Sequence, residues 1–237
     1  MGEPTDFGRP ASAILRVLDA LPGSARLTLG ELATQLLPAW QAELDRLVAR
    51  AGAMDEVPTC RRGCAACCRH PVPLAIPEAF MLARMAAGLP AAHRERVLDA
   101  FEQARSRLDA AGLSGTALLS SVHAYRAASI DCPFLEHEQC AIHEWRPGAC
   151  REHLALSAPA RCAEEGDGAD LLGFPLRIGE YFAAMAARLL GGAPVAIALV
   201  DMLDWCAGRA DGEALRSWTV AELRAHSVRV LGVPAPD

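Results

Sequence analysis

Eight of the nine cysteines in this chain fall into two groups. Cys60, Cys64, Cys67 and Cys68 sit in one short run, around Arg61-Arg62-Gly63 and Ala65-Ala66. Cys132, Cys140, Cys150 and Cys162 follow at wider spacing, and Cys206 stands alone. Thiolates two or three residues apart let one loop wrap a metal, and Gly63 supplies the backbone freedom such a wrap needs. The distant cysteines would complete the coordination and tie the two stretches together. Soft sulfur donors suit zinc and iron–sulfur clusters and reject calcium or magnesium. Tetrahedral zinc sites usually show two short Cys or His pairs. Here Cys60-x3-Cys64-x2-Cys67 puts three thiols in one run, which can cap three corners of a cubane. The donor set therefore leans to an iron–sulfur cluster, with zinc as the alternative. Eight thiols are enough for two four-thiolate sites. Cys67 and Cys68 are adjacent, and neighbouring side chains usually diverge. The expectation is two centres, or one ligand beside a free thiol. Cys206, beside Leu203 and Trp205 on an apolar helix, is expected only to pack.

Other candidate groups cluster near the cysteines. Arg61, Arg62, Arg69, Arg146 and Arg151 flank them, and guanidinium groups offset thiolate charge or grip an anionic ligand. His70, His137, His143 and His153 could bind metal or carry protons, but each could equally be a packed or solvent-facing histidine. The carboxylates Glu136, Glu138, Glu164, Glu165 and Asp167 read most simply as a solvated acidic loop. Gly166-Asp167-Gly168 lacks the strand–helix context of a nucleotide loop. All 23 basic residues are Arg, and there is no Lys and no Asn. That excludes a Schiff-base lysine, a phosphate-loop lysine and N-glycosylation. The net charge of −6 supplies no cationic face for nucleic acid.

The elements that must carry these groups read as helices, since Ala, Leu, Arg and Glu dominate. Thr28-Leu29-Gly30-Glu31 is a capping box followed by apolar residues at helical spacing, with Pro38 expected to kink the helix. Pro77 opens a helix stopped by Gly88, and Pro90 opens another closed by Gly112. Further helices are expected over 116–128, 178–190, 194–207 and 220–231, the last behind a second capping box, Thr219 to Glu222. Val72, Leu74 and Ile76 permit one brief strand. No strand–helix repeat points to a parallel sheet or barrel. The fold class expected is mostly α: a single helical domain with two irregular Cys-rich insertions, 57–73 and 130–170, that meet to form a metal site. A working division is 1–56, 57–170 and 171–237. Glu3 and Asp6 precede any apolar run, and the longest apolar stretch, 189–200, is too short and too interrupted to span a bilayer. A cytoplasmic protein with no membrane and no nucleic-acid partner is expected. In that reducing setting clustered cysteines bind metal or do redox chemistry more often than they form disulfides.

The motifs together resemble a known family. Cys60-x3-Cys64-x2-Cys67-Cys68 comes first, followed by Val72-Pro73-Leu74, Pro77-Glu78-Ala79 and Cys132-Pro133-Phe134-Leu135. Cys140-Ala141-Ile142 and Arg146-Pro147-x2-Cys150-Arg151 complete the order. This pattern is similar to the YkgJ cysteine-cluster family, described as zinc- or iron-chelating. Its cysteine pattern is shared with flagellin lysine N-methylases, which are associated with an iron–sulfur cluster. The resemblance covers roughly 57–162. It implies metal ligation by the eight clustered cysteines, and it places Arg146 and Arg151 in the site, in a structural capacity. Where the family commonly has a tyrosine and an aromatic residue, this chain has His143 and His153. Four functions stay open: a metalloprotein, an iron–sulfur-dependent enzyme modifying a peptide or protein (a methylase or tailoring oxidase), a zinc-stapled structural or interaction module, and a metal-free thiol redox sensor using Cys67 and Cys68.

Overall fold

The computed structural model of the protein describes residues 8–114, 116–163 and 168–233. Glu3, Asp6, Glu164, Glu165, Gly166 and Asp167 lie outside them. The described chain is mostly helical, and its helices begin and end where local chemistry says they should. α1 (Gly8–Asp19) buries Ile14 and Leu18. β1 (Arg26–Thr28) leads directly into α2 (Leu29–Gly52). The Thr28 hydroxyl accepts from the Glu31 N–H, and the Glu31 carboxylate accepts from the Thr28 N–H at 2.9 Å, which satisfies helix donors that lack intrahelical partners. α2 continues through Pro38 and buries Leu32, Leu36, Trp40 and Leu44 on one face.

β2 (Pro73–Leu74) precedes α3 (Ile76–Ala87), which has Pro77 in its first turn, and α4 (Ala91–Ala110) follows Pro90. Over 116–128 the single expected helix is two. α5 (Thr116–Ser120) ends before Ser121, whose hydroxyl accepts from the Ala124 N–H and starts α6 (Val122–Ala127). A serine whose side chain bonds the backbone two or three residues on competes with helix continuation. β3 (Leu135–Glu136) and β4 (Gln139–Cys140) form a hairpin, turned at His137 and Glu138 with φ of 50° and 58°. α7 (Gly148–Glu152) is a single turn and α8 (Ile178–Leu190) is long.

The helix expected over 194–207 is a correction. Only α9 (Met202–Ala207) is α-helical there, while β5 (Ile197–Ala198) pairs antiparallel with β2. The Leu199 N–H extends that pairing to the Val72 carbonyl at 2.9 Å. Gly191, Gly192 and Pro194 break the helix, and β-branched Val195 and Ile197 suit the ribbon. β6 (Ser217–Thr219) pairs with β1 and runs into α10 (Val220–Leu231), again behind a capping box. Where one brief strand was expected, the described residues hold six, in three antiparallel pairs.

One cluster of buried residues draws on α1, α2, α3, α8, α9 and α10, with Phe134 and Ile142 from the second cysteine stretch inserted into it. A smaller cluster joins the end of α4 to Leu118, Tyr125, Ile130 and Val200. Among the described residues, no helix is long and apolar enough to cross a membrane.

Candidate metal centre

The two cysteine stretches are irregular because they are held by partners elsewhere in the chain, not by their own helical ladders. Gly63 takes a φ of +88°, a conformation closed to most L-residues, and turns the loop between Cys60 and Cys64. A 3-10 turn, Ala66–Arg69, then carries Cys67 and Cys68. The Cys132 N–H donates to the Cys68 carbonyl at 2.8 Å, and the Thr59 N–H donates to the Ala155 carbonyl at 2.7 Å. Arg69 bridges from the 3-10 turn to Asp131 and Glu138, at 3.1 and 2.6 Å. The two stretches therefore meet, and Arg69 serves as their outer clasp.

The short helix α7 positions Cys150. The buried Glu78 carboxylate, on α3, accepts from the Ala75 N–H at 2.9 Å and from the Gly148 N–H at 2.6 Å. It thus starts two helices at once. A Cβ on Gly148 would lie 2.3 Å from a methyl of Ile178, so α7 sits against α8 at a distance only glycine allows. Arg151 is buried and donates to the Arg146 and Glu144 carbonyls, both at 2.6 Å, and to the Gln41 side chain at 2.7 Å. It holds the 144–150 segment in place, a structural task. Glu152 accepts from the Trp40 indole and the Ile178 N–H, both at 2.8 Å, and burial pushes its carboxyl up to about 7.

These supports aim six thiols at one space. Cys64, Cys67, Cys68, Cys132, Cys140 and Cys150 line a cavity of about 80 Å³. Cys67 and Cys68, expected to diverge, both line it. Cys60 and the buried Cys162 lie next to this set: the Cys60 sulfur accepts from the Ala155 N–H at 3.2 Å, and both thiols interact electrostatically with Cys64 and Cys67. Arg61, Arg62, Arg146 and His143 line the same cavity, with Arg61 and Arg62 exposed. His153 does not; it faces His70 with ring centroids 6.2 Å apart. His137 is exposed on the hairpin turn. Cys206 is buried in the core on α9.

Every clustered thiol is free. Burial, reinforced by neighbouring thiols, pushes Cys132 and Cys150 above the ordinary thiol range, and the adjacent Cys68 thiol, together with burial, does so for Cys67. Arg146 opposes this at Cys60, Cys67, Cys140 and Cys150. A bound cation inverts such a balance, because it stabilises the thiolates that mutual repulsion disfavours. Among the described residues, no group of three or more His, Cys, Asp or Glu side chains is gathered closely enough for a single-ion site. The thiols instead surround a space of a few water volumes, each about 30 Å³. Six thiols and His143 around one space are the donor types that zinc and iron–sulfur clusters take.

Residues 59–167 match the CxxCxxCC family model, described as a "putative zinc- or iron-chelating domain". The cysteine motifs of this CxxCxxCC segment are those on which the resemblance to a cysteine-cluster family rests, and its ends fall close to the irregular stretches. No curated protein and no solved structure gives a match to the chain. Sequence reasoning missed two features of the segment. Glu78 was visible as part of Pro77-Glu78-Ala79, but nothing local marks its bond to Gly148. The facing of His70 and His153 across the fold is equally without a local signal.

Proposed function

We propose that the CxxCxxCC segment binds an iron–sulfur centre through thiolates drawn from Cys60, Cys64, Cys67, Cys68, Cys132, Cys140, Cys150 and Cys162. The observation that carries this reading is six free thiols lining one cavity, with the remaining two beside it. A closed zinc site needs four sulfurs at about 2.3 Å from one ion. More donors than that, around more space than one ion fills, favour a cluster. When bound, the cluster supplies electron transfer or a Lewis-acidic iron. The chain itself supplies thiolate ligands and Arg146 to offset their charge, while Arg151 and Glu78 fix the ligand-bearing segments. A cytoplasmic setting, which keeps thiols reduced, suits this assignment.

A second reading makes the centre catalytic, in an enzyme that modifies a peptide or protein. It is favoured by a second space of about 230 Å³ that is lined by both Cys67 and Cys150 and not by Arg61 or Arg62. An enzyme needs such access, whereas a zinc-stapled module does not.

Anaerobic purification with iron, sulfide and zinc analysis tests the assignment. The expected result is iron and sulfide in similar amounts with a broad visible absorption band. That band should be lost in Cys67→Ser and Cys150→Ser and kept in Cys206→Ser. Zinc alone, with no visible band, overturns the iron–sulfur reading in favour of the structural module. A stably folded protein free of metal overturns both.

A further inference from the structure

The cysteine cavity has a basic rim that metal ligation does not use. Arg61, Arg62 and Arg146 line it together with Gln139 and His143, and the described residues around it include no carboxylate. Arg146 is half-buried and donates to the His143 carbonyl at 3.1 Å. Arg61, Arg62 and Gly63 are exposed, and a Cβ on Gly63 would meet nothing within 4 Å, so this loop opens to solvent.

The chain does not lack carboxylates for these arginines, since it has 29 acidic residues against 23 basic ones. Arg69, a few residues on, takes both Asp131 and Glu138. Glu144, two residues from Arg146, pairs with His143 at 3.6 Å. Among the described residues, the side chains of Arg61 and Arg62 have no hydrogen bond or ion pair. Water screens such exposed charges from buried groups, so offsetting the thiols falls to Arg146 and leaves this pair for something outside. Each guanidinium can grip one carboxylate through two parallel hydrogen bonds. Two adjacent ones, with a third from the second stretch, suit several carboxylates on one partner better than a single small anion. Trp145, next to Arg146 in the chain, is also exposed, and tryptophan and arginine carry much of the binding energy at protein interfaces.

We propose that this rim is a docking face for an acidic segment of a partner protein, whose carboxylates meet Arg61, Arg62 and Arg146. Three arginines in a chain of net charge −6 fall short of the basic stripe that nucleic acid needs. The inference rests on the metal-centre reading for what the partner is brought to, and not for the contact itself.

Fluorescence anisotropy of peptides carrying an uncharged dye, titrated with the purified protein, tests it. One peptide is a short Glu–Gly repeat, and the other has Gln in place of every Glu. A chain of net charge −6 repels the Glu peptide except at a local basic face. Saturable binding of the Glu peptide, at least tenfold tighter than that of the Gln peptide, is expected. It should weaken at least tenfold between about 0.01 and about 0.1 M salt, as the Debye length falls from about 30 to about 10 Å. The double variant Arg61→Gln, Arg62→Gln should weaken it at least tenfold. The control Arg188→Gln, Arg229→Gln removes the same charge from exposed positions on α8 and α10 and should leave it unchanged. Equal affinity for the two peptides or equal losses in the two double variants overturns the proposal. So does inorganic phosphate or a single-stranded oligonucleotide binding as tightly as the Glu peptide. Metal analysis of the same samples keeps the two readings apart: a protein without iron that still binds the Glu peptide through Arg61 and Arg62 overturns the iron–sulfur assignment and upholds the docking face.

Discussion

The contact between α7 and α8 offers a quantitative test of how Cys150 is held. Replacing Gly148 by Ala places a methyl 2.3 Å from the Ile178 side chain and 3.3 Å from the Glu78 carboxylate that its own N–H bonds. Forcing an extra methyl into a packed interior costs about 1–3 kcal/mol. Pulling the Gly148 N–H away from a buried carboxylate adds about 1.5 kcal/mol or more. A loss of about 3–4 kcal/mol follows, and at about 2–4 °C per kcal/mol for a chain of this size the melting temperature should fall by roughly 6–16 °C. Gly179 is the control. It too lies near Glu78, but its nearest neighbour would be 3.9 Å from an added Cβ, an ordinary contact. Because Gly179 is helical, Ala there should be neutral or stabilising by up to about 1 kcal/mol. Urea denaturation of the two variants, followed by circular dichroism and checked for an unchanged denaturant slope, gives both numbers. Metal content should fall in Gly148→Ala and hold in Gly179→Ala. A Gly148→Ala protein within about 0.5 kcal/mol of the parent, or one no worse than Gly179→Ala, would refute the close-packing account.

Three other expectations follow from single side chains. Arg151→Ala strips donors from two backbone carbonyls and Gln41, and should cost about 3 kcal/mol in urea denaturation. A loss under 1 kcal/mol would mean the 144–150 segment is held by other contacts. Cys206, pushed up to about 11 by burial, should have about a hundredfold less thiolate at pH 8 than an ordinary thiol. Its reaction with a disulfide reagent should therefore appear only on unfolding, and prompt labelling of Cys206 in the folded protein is the contrary result. Thr28→Ala should cost about 1 kcal/mol at neutral pH by removing the cap of α2. The Glu31 carboxyl is held low, first by the Thr28 backbone N–H. Its stabilisation is present above the unfolded carboxylate range and lost as pH falls through the folded value. The parent's advantage over Glu31→Gln should accordingly shrink in acid, and a gap constant with pH down to the acid transition would count against the capping role.

Much of the scaffold is legible from local chemistry. Thr28 with Glu31 and Thr219 with Glu222 announce two helix starts, Pro77 and Pro90 two more, and Gly88 an end, because capping depends on residues within one turn. That the two cysteine-bearing stretches are irregular is legible for a different reason: Pro, Gly and clustered Cys interrupt the helical pattern there. What escapes is whatever depends on contacts far along the chain. Ile197 and Ala198 look helical until Pro73 and Leu74 pair with them. The bond that brings the 3-10 turn bearing Cys67 and Cys68 against the second stretch, from the Cys132 N–H to the Cys68 carbonyl, has no periodic signature. Glu78 and Gly148, and likewise His70 and His153, are joined only by the finished fold.

The pairing of β1 with β6 has a consequence for how the protein is made. Arg26–Thr28 meets Ser217–Thr219, so β1 waits for a partner about 190 residues downstream. At ribosomal rates of about 5–20 residues per second, that wait is on the order of ten to forty seconds. All eight clustered cysteines emerge well before β6 does. The nascent chain thus passes through an interval in which every thiol is present and the ribbon joining its two flanks is still open. Delivery of metal in that interval would meet the thiols before the late-arriving strand closes the fold around them.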